Sequence, residues 1–250
     1  MYVVNNSADF KGMPAFGGIV RYTDLIFGLR SNNPKNMINL ADQVNNTKIT
    51  SNKAIFTQKG IKGMPGKHIE TDFTTNGVHS LTIKAVAKMY DANGTSKIGW
   101  VCGSLTDNGG IGLMITNVPA SQPNKYHYAV RLYVNIGTPG GRIQRFINYR
   151  FASDLDLTAT DDLHIIAQID AELKEMRMNV NNLGWQKLQA LTDDWSLRND
   201  SNWHIFNSPR FSGNTEVEVF ELLIWQGLLS QRELAQQDQL SSRYLNALEL

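Results

Sequence analysis

Three glutamates near the end of the chain have the spacing that comes nearest to catalytic chemistry. Glu216, Glu218 and Glu221 fall in a strand-like segment that ends at Trp225. Retaining glycoside hydrolysis needs two carboxyl groups about 5 Å apart. Successive side chains of a strand point to opposite faces, so Glu216 and Glu218 share one face and Glu221 takes the other unless a bulge intervenes. The spacing therefore predicts no glycosidase activity.

Metal binding is the second chemistry that the residue types permit. Calcium prefers carboxylate and amide oxygens, and Asp and Asn recur in the predicted turns, although they are also the preferred turn formers. A bound calcium ion therefore stays an alternative, and no metal ligand or other cofactor is assigned. The five histidines are scattered without H-x-x-H spacing, which argues against zinc. The Asx residues concerned are Asp91, Asn93, Asp107, Asn108, Asp161, Asp162 and Asp170.

Sugar recognition is the third chemistry, and it needs an exposed aromatic ring among polar side chains. The segment 193–203 holds two of the five tryptophans in a loop-like composition, and Trp185 lies beside the predicted Asn181-Asn182 turn. Alternatively, Trp203 begins a strand and the indoles of Trp195 and Trp203 pack in the core, since most tryptophans are largely buried. The predicted ligand-binding residues are Trp185, Asp193, Asp194, Trp195, Asn199 and Trp203.

Composition limits the class of protein. A chain of 250 residues can bury a core without disulfides, and a β sandwich of this length is commonly one domain. The net charge of +1 predicts neither nucleic-acid binding nor attraction to an anionic membrane. Cys102 is the single cysteine and lies in an apolar strand, so a buried thiol is expected. Residues 1–9 lack the features of a signal peptide, and no apolar run is long enough to span a bilayer.

Short strands separated by turn signals dominate the chain. The clearest strand covers residues 79–90, where apolar side chains alternate with period two. Hairpins are expected about residues 106–109 and 137–141, where Gly and Asn favour tight turns. Further strands are predicted over residues 24–30, 37–41, 67–73, 97–105, 110–116, 126–135, 142–149, 163–170, 174–180, 184–190 and 216–225.

One helix is predicted, from about residue 230 to residue 245. Ser230 and Glu233 have the S-x-x-E spacing of a capping box, in which each side chain binds a backbone N–H at the helix start. Leu234 and Leu240 are expected to pack it against the sheet. Many short strands and one terminal helix predict an all-β fold, a two-sheet antiparallel sandwich with a short C-terminal helix.

Several of these segments resemble LamG-like domains of the concanavalin A-like lectin and glucanase jelly-roll superfamily. Residues 163–170 (LHIIAQID) resemble the strand W-x-H-φ-A-φ-x-φ-D, although Leu163 stands where an aromatic is common. Residues 176–182 (MRMNVNN) resemble φ-x-φ-Y-V-N-G, with Asn182 in place of the turn glycine. The resemblance spans residues 24–248 and implies a jelly-roll domain over residues 19–250 that follows an N-terminal arm of residues 1–18.

The same superfamily includes retaining glucanases that carry E-x-D-x-x-E on a strand. That resemblance would make Glu216 the nucleophile and Glu221 the acid and base. Here the segment is the last predicted strand rather than a mid-chain one, and Glu221 coincides with the glutamate of the LamG closing strand. A motif outside its structural context is weak evidence, so we predict that the protein is not an enzyme.

The resemblance implies a non-catalytic lectin-like module. We predict a bacteriophage virion protein, of the tail fibre or a decoration, that is made in the cytoplasm. Its partners would be a cell-surface glycan, as in host attachment, or other virion subunits on which the arm docks. A secreted or surface glycan-binding module is the alternative function, and a glycoside hydrolase or polysaccharide lyase is a third, less favoured one. Neither nucleic acid nor membrane insertion is expected, and the oligomeric state stays open.

Overall fold

A computed structural model describes residues 18–30, 40–41, 49–50, 55–75, 78–91, 96–107, 109–119, 126–138, 141–151, 159–189, 191 and 201–248. The predicted arm therefore lies outside the described residues except for Gly18, as does most of the predicted strand 37–41. The strands are β1 (Leu25–Leu29), β2 (Ile49–Thr50), β3 (Ile55–Phe56), β4 (Ile61–Gly63), β5 (Ile69–Thr71), β6 (Leu81–Met89), β7 (Ile98–Gly103), β8 (Gly109–Pro119), β9 (Tyr126–Thr138), β10 (Gly141–Arg150), β11 (Leu163–Asp170), β12 (Glu175–Val180), β13 (Trp185–Gln189), β14 (His204–Ile205), β15 (Asn207–Ser208), β16 (Phe211–Ser212) and β17 (Val217–Gln226). The helices are a 3₁₀ turn (Tyr22–Asp24) and α1 (Gln231–Ala247).

The described strands form two large antiparallel sheets. The eight-stranded sheet has the order β13-β12-β11-β6-β17-β4-β3, and β1 also pairs with β17. The seven-stranded sheet has the order β10-β9-β8-β7-β14-β5-β2. A small hairpin of β15 and β16 lies on the seven-stranded sheet, where the Ser208 hydroxyl donates to the Leu105 carbonyl. The predicted two-sheet antiparallel sandwich is confirmed.

The core lies between the two sheets and takes alternate residues from both. Ile83 and Ala85 of β6 and Leu113 and Ile115 of β8 are completely buried in it. The alternation predicted in residues 79–90 is therefore present. The other face of β6 is buried as well, including Lys84, because α1 packs on the outer face of the eight-stranded sheet.

The predicted C-terminal helix is confirmed. Ser230 is its N-cap, and the Ser230 hydroxyl accepts from the Glu233 backbone N–H at 3.3 Å. The Glu233 carboxylate accepts from the Ser230 N–H at 2.7 Å, which completes the capping box. Leu234 is buried and Leu240 is partly buried against the sheet. Among the described residues, no helix combines the length and apolar character needed to cross a membrane.

Candidate ligand-binding site

Trp203, one of the predicted ligand contacts, lies in the core. Its indole is 2% exposed, its Nε1 donates to the Thr75 hydroxyl at 3.3 Å, and its ring packs at 5.9 Å from that of Phe73. A buried ring offers no face to a sugar, so the prediction that Trp203 contacts a ligand is corrected. The structure agrees with the alternative prediction that Trp203 begins a strand, since the next two residues, His204 and Ile205, form β14.

Trp185 lies at the start of β13, the edge strand of the eight-stranded sheet, and is partly buried. The guanidinium of Arg177 lies over its ring at 5.5 Å and is oriented by a 2.8 Å hydrogen bond from its Nε to the Gln168 side-chain oxygen. Trp185 is thus a predicted site residue that the structure places near the surface. The other predicted contacts, Asp193, Asp194, Trp195 and Asn199, lie outside the described residues.

The glutamates of the possible hydrolase motif do share a face, because the bulge that the prediction from strand alternation named as the exception is present. A bulge between Val219 and Glu221 brings Glu218 opposite Lys88 and Glu221 opposite Val86, which lie on the same face of β6. The burial of Glu221, rather than its orientation, argues against a hydrolase site in this segment. The side chain of Glu221 is 0% exposed and lies under α1.

Each carboxylate of this segment has a structural partner. The Arg30 Nε donates to Glu221 at 2.7 Å, and the Ser241 hydroxyl of α1 donates to the same carboxylate. Glu218 accepts from the Tyr90 hydroxyl at 2.5 Å and from Thr57. Both the burial and the hydrogen bond to Glu218 raise the pKa of Tyr90 above its ordinary value. These contacts stabilise the sheet, and the carboxylate of Glu221 is completely buried.

The turn aspartates that suggested calcium have other described contacts. Asp170 accepts from the backbone N–H groups of Glu172 and Leu173 at 3.0 Å each, which closes the β11–β12 turn. Asp107 forms an ion pair with Arg210, and Asp91 pairs with Lys97. Of the other calcium candidates, Asn93 and Asn108 lie outside the described residues.

Among the described residues, the most open aromatic surface lies on the outer face of the seven-stranded sheet, on β9 and β10. The register opposes Phe146 to Tyr133 and Asn148 to Arg131, so these side chains are neighbours on one face. We call Arg131, Tyr133, Gln144, Phe146 and Asn148 the aromatic patch. Residues between them, such as Leu132 and Ile147, point into the core.

The geometry of the aromatic patch combines one open ring with oriented polar groups. Phe146 is 43% exposed, and its ring is 5.5 Å from that of Tyr133 at an interplanar angle of 19°. The Arg131 guanidinium lies 4.7 Å from the Phe146 ring, and its Nε donates to the Asn148 side-chain oxygen at 2.6 Å. The Tyr133 hydroxyl donates to the Gln144 side-chain oxygen at 2.9 Å. Burial lowers the pKa of Arg131 from its ordinary value, yet a guanidinium stays charged at neutral pH.

A packed cluster lies beside the aromatic patch on the same outer face of the sheet. Tyr133 packs on the cluster of Trp100, Leu105 and Met114, and Phe211 of the small hairpin stacks on Trp100. The Trp100 ring lies directly over Gly112, where an added Cβ would approach Cζ3 to 2.3 Å. The patch is therefore held by paired strands and by close packing of Tyr133 against its neighbours, which lowers the entropy cost of binding.

The hairpin prediction could have located this surface. Residues 126–135 and 142–149 are predicted strands around a glycine-rich turn, and pairing them about that turn brings residues 131, 133, 144, 146 and 148 together. The aromatic residues predicted to bind a ligand were tryptophans, although a phenylalanine that alternates with core residues on a hairpin has to face outward.

No protein-family model and no curated protein sequence matches this chain. Solved structures do resemble it. The receptor binding domain of botulinum neurotoxin D matches with a TM-score of 0.61 and 12% identity, covering 87% of this chain and 53% of that one. The binding domain of botulinum neurotoxin DC in complex with SialylT matches with a TM-score of 0.60 and 9% identity, covering 89% and 52%.

A third structure, the binding domain of botulinum neurotoxin DC in complex with rat synaptotagmin II, has a TM-score of 0.59 at 9% identity and covers 89% of this chain and 52% of that one. This chain thus spans about half the length of the structures it resembles. At such low identity the likeness concerns the fold, an all-β sandwich.

Proposed function

We propose that this chain is a non-catalytic carbohydrate-binding module and that the aromatic patch holds a sugar ring. The observation that carries the proposal is Phe146, which is 43% exposed and has Arg131 and Asn148 beside it. The apolar C–H face of a pyranose packs on such a ring, while guanidinium and amide groups bind its hydroxyls. A few oriented polar groups around an apolar surface are typical of small-ligand sites.

The resembling structures support a recognition role rather than catalysis. They are receptor-binding domains, and one is described with SialylT and another with rat synaptotagmin II. A fold alone does not determine function, so the argument rests on the aromatic patch. The burial of Glu221 under α1 also speaks against a hydrolase built on that segment.

The biological setting that we propose is a bacteriophage virion. In this proposal the chain is a LamG-like jelly roll of a tail fibre or decoration protein, and it binds a host glycan or neighbouring virion subunits. The resemblance of its strands to lectin-like jelly rolls supports the glycan-binding part of this proposal. A secreted or surface glycan-binding module is the alternative. Proteomics of purified particles from the source organism would find the chain if the virion proposal is correct.

The sugar site is tested with a glycan array followed by saturation-transfer NMR on the best ligand. Phe146→Ala should weaken binding at least about tenfold, a loss of about 1.4 kcal/mol. Its melting temperature should stay within a few degrees, because an exposed ring adds little packing. Leu173→Ala is the matched control, since Leu173 is 59% exposed on the β11–β12 turn, away from the aromatic patch. Equal binding by Phe146→Ala and wild type would reject the site.

A second candidate set, Trp185 together with the predicted residues of segment 193–199, is tested in the same assay. Its support is the partly exposed Trp185 with Arg177 over its ring. If these residues form the site, Trp185→Ala and Trp195→Ala weaken binding while Phe146→Ala does not. A large loss of stability in Trp195→Ala would instead mark that indole as a core residue and remove it from the proposal.

A further inference from the structure

Two histidines and one glutamate meet at the other end of the same outer face. His68 and Glu70 are two residues apart along the β5 segment and share one face, and β14 pairs with β5 so that His204 lies opposite Glu70. The His68 Nε2 lies 3.1 Å from a Glu70 carboxylate oxygen, and the two imidazole rings are 4.5 Å apart. Ile69 and Ile205, which alternate with them, are buried in the core.

We propose that His68, Glu70 and His204 form a zinc-binding site. One ligand atom from each residue can be chosen so that all three lie within 4.8 Å of one another. Zinc bound tetrahedrally at about 2.0–2.1 Å from imidazole nitrogen and carboxylate oxygen brings its ligands closer still, so side-chain rotations have to complete the site. Two histidines and one carboxylate are a known zinc donor set, in which the fourth position is left to water or another ligand.

A second observation on His204 points to a ligand. Its Nδ1 is buried and has no hydrogen-bond partner in the described part of the chain. The neutral imidazole is the form that binds a metal ion. A zinc ion would supply the missing partner.

The ring geometry shows that a side chain has to rotate when zinc binds. The planes of His68 and His204 are within 4° of parallel, so their in-plane lone pairs run side by side and do not converge. Binding therefore has to rotate one ring about its Cβ–Cγ bond. His68 and Glu70 can move, since their side chains are 30% and 65% exposed. This rotation makes the site weaker than a fully preformed one.

The proposed zinc site is independent of the sugar site. Strands β7 and β8 separate the pair β14 and β5 from β9 and β10 in the seven-stranded sheet. The two sites share a face but no residue, so either can fail experimentally without the other.

The test uses chelator-treated protein without a polyhistidine tag. We expect isothermal titration calorimetry to give one zinc per chain and cobalt to give the visible absorption of a low-symmetry site. Zinc at 100-fold above its Kd should raise the melting temperature by about 5 °C or more. His68→Ala, Glu70→Gln and His204→Gln should each weaken zinc binding at least about tenfold, and His79→Ala, an exposed histidine elsewhere, should not.

Absence of zinc binding by the wild-type chain would overturn the proposal. Zinc binding that is unchanged in both His68→Ala and His204→Gln would overturn it as well. So would a loss of zinc binding in His79→Ala as large as the loss in the variants of the proposed ligands. Because Glu70 is exposed and His68 is partly exposed, their variants should fold even if His204→Gln loses stability. Circular dichroism spectra and melting curves of the metal-free variants establish this, and loss of binding in a folded His68→Ala supports the site.

Discussion

Glu221 shows how one side chain couples the sheet to the helix. Its carboxylate and the Arg30 guanidinium are both 0% exposed, and the Arg30 Nη2 lies 2.6 Å from Glu221 Oε2. Arg30 also lies 4.7 Å from the ring of Tyr244 on α1. The pair joins β1, β17 and α1, so the energetic role of Glu221 is structural.

Glu221→Ala should lower the free energy of unfolding by about 3–5 kcal/mol, because the Arg30 charge stays buried without its partner. Urea denaturation followed by fluorescence measures this. Glu216→Ala is the matched control, since the ion pair of Glu216 with Lys62 is partly exposed, and its loss should cost about 0–1 kcal/mol. Equal costs for the two variants would contradict the assigned burial.

His164 should make stability depend on pH. Burial is the main cause that lowers its pKa, and Lys84 adds to it, while Asp238, Glu221 and Asp162 act in the opposite direction. The folded protein thus binds fewer protons at this site than the unfolded chain does. The stabilising contribution is complete above the unfolded pKa of about 6.5 and is lost as pH falls through the lower folded pKa.

The urea midpoint of the wild-type chain should therefore fall more steeply between pH 7 and pH 5 than that of His164→Gln, which has no titrating group at this position. His79→Gln removes an exposed histidine and should retain the wild-type slope. Identical slopes for His164→Gln and wild type would show that His164 does not contribute to the pH dependence.

At the scale of elements, α1 depends on how its first turn is capped. The Ser230 hydroxyl binds the Glu233 N–H, and no other side chain is described as an acceptor for that group. Ser230→Ala should cost about 1 kcal/mol of stability. Ser242→Ala, at an exposed position within the same helix, should be neutral or slightly stabilising. Thermal melts distinguish the two, and a neutral Ser230→Ala would mean that the cap is not needed.

The β17 strand is the other element whose local geometry has large effects. Its bulge interrupts the pairing with β6, and on the other edge the partner changes near the same point, from β4 at residues 217–219 to β1 at residues 222–225. The bulge turns Glu221 toward α1, so one extra residue sets the position of the buried ion pair.

At the scale of the whole molecule, α1 acts as a third layer. It covers apolar residues such as Phe220 and Leu223 as well as the buried charges of Lys84 and Glu221. A chain that ends at Ser230 should lose its cooperative thermal transition. The apolar residues would be exposed to water, and the charged residues would lose their partners on α1. Circular dichroism and binding of a hydrophobic dye measure this, and a sharp transition in the truncated chain would contradict the prediction.

The sequence by itself determined the fold class, the longer strands, two hairpins and the capped helix. These features depend on local patterns: period-two alternation in residues 79–90, turn residues at 106–109 and the S-x-x-E spacing at Ser230. Short strands such as β3, β15 and β16 were not predicted, since two residues carry no periodicity. The predicted contacts in segment 193–199 stay predictions.

Only the tertiary structure decided where the candidate sites lie. The burial of Trp203 depends on packing against Phe73, and the orientation of Glu221 depends on a bulge. The meeting of His68 and His204 depends on the pairing of two strands far apart in the chain. Such contacts join residues that share no local pattern, because strand partners are selected by the packing of the whole sandwich rather than by neighbouring residues.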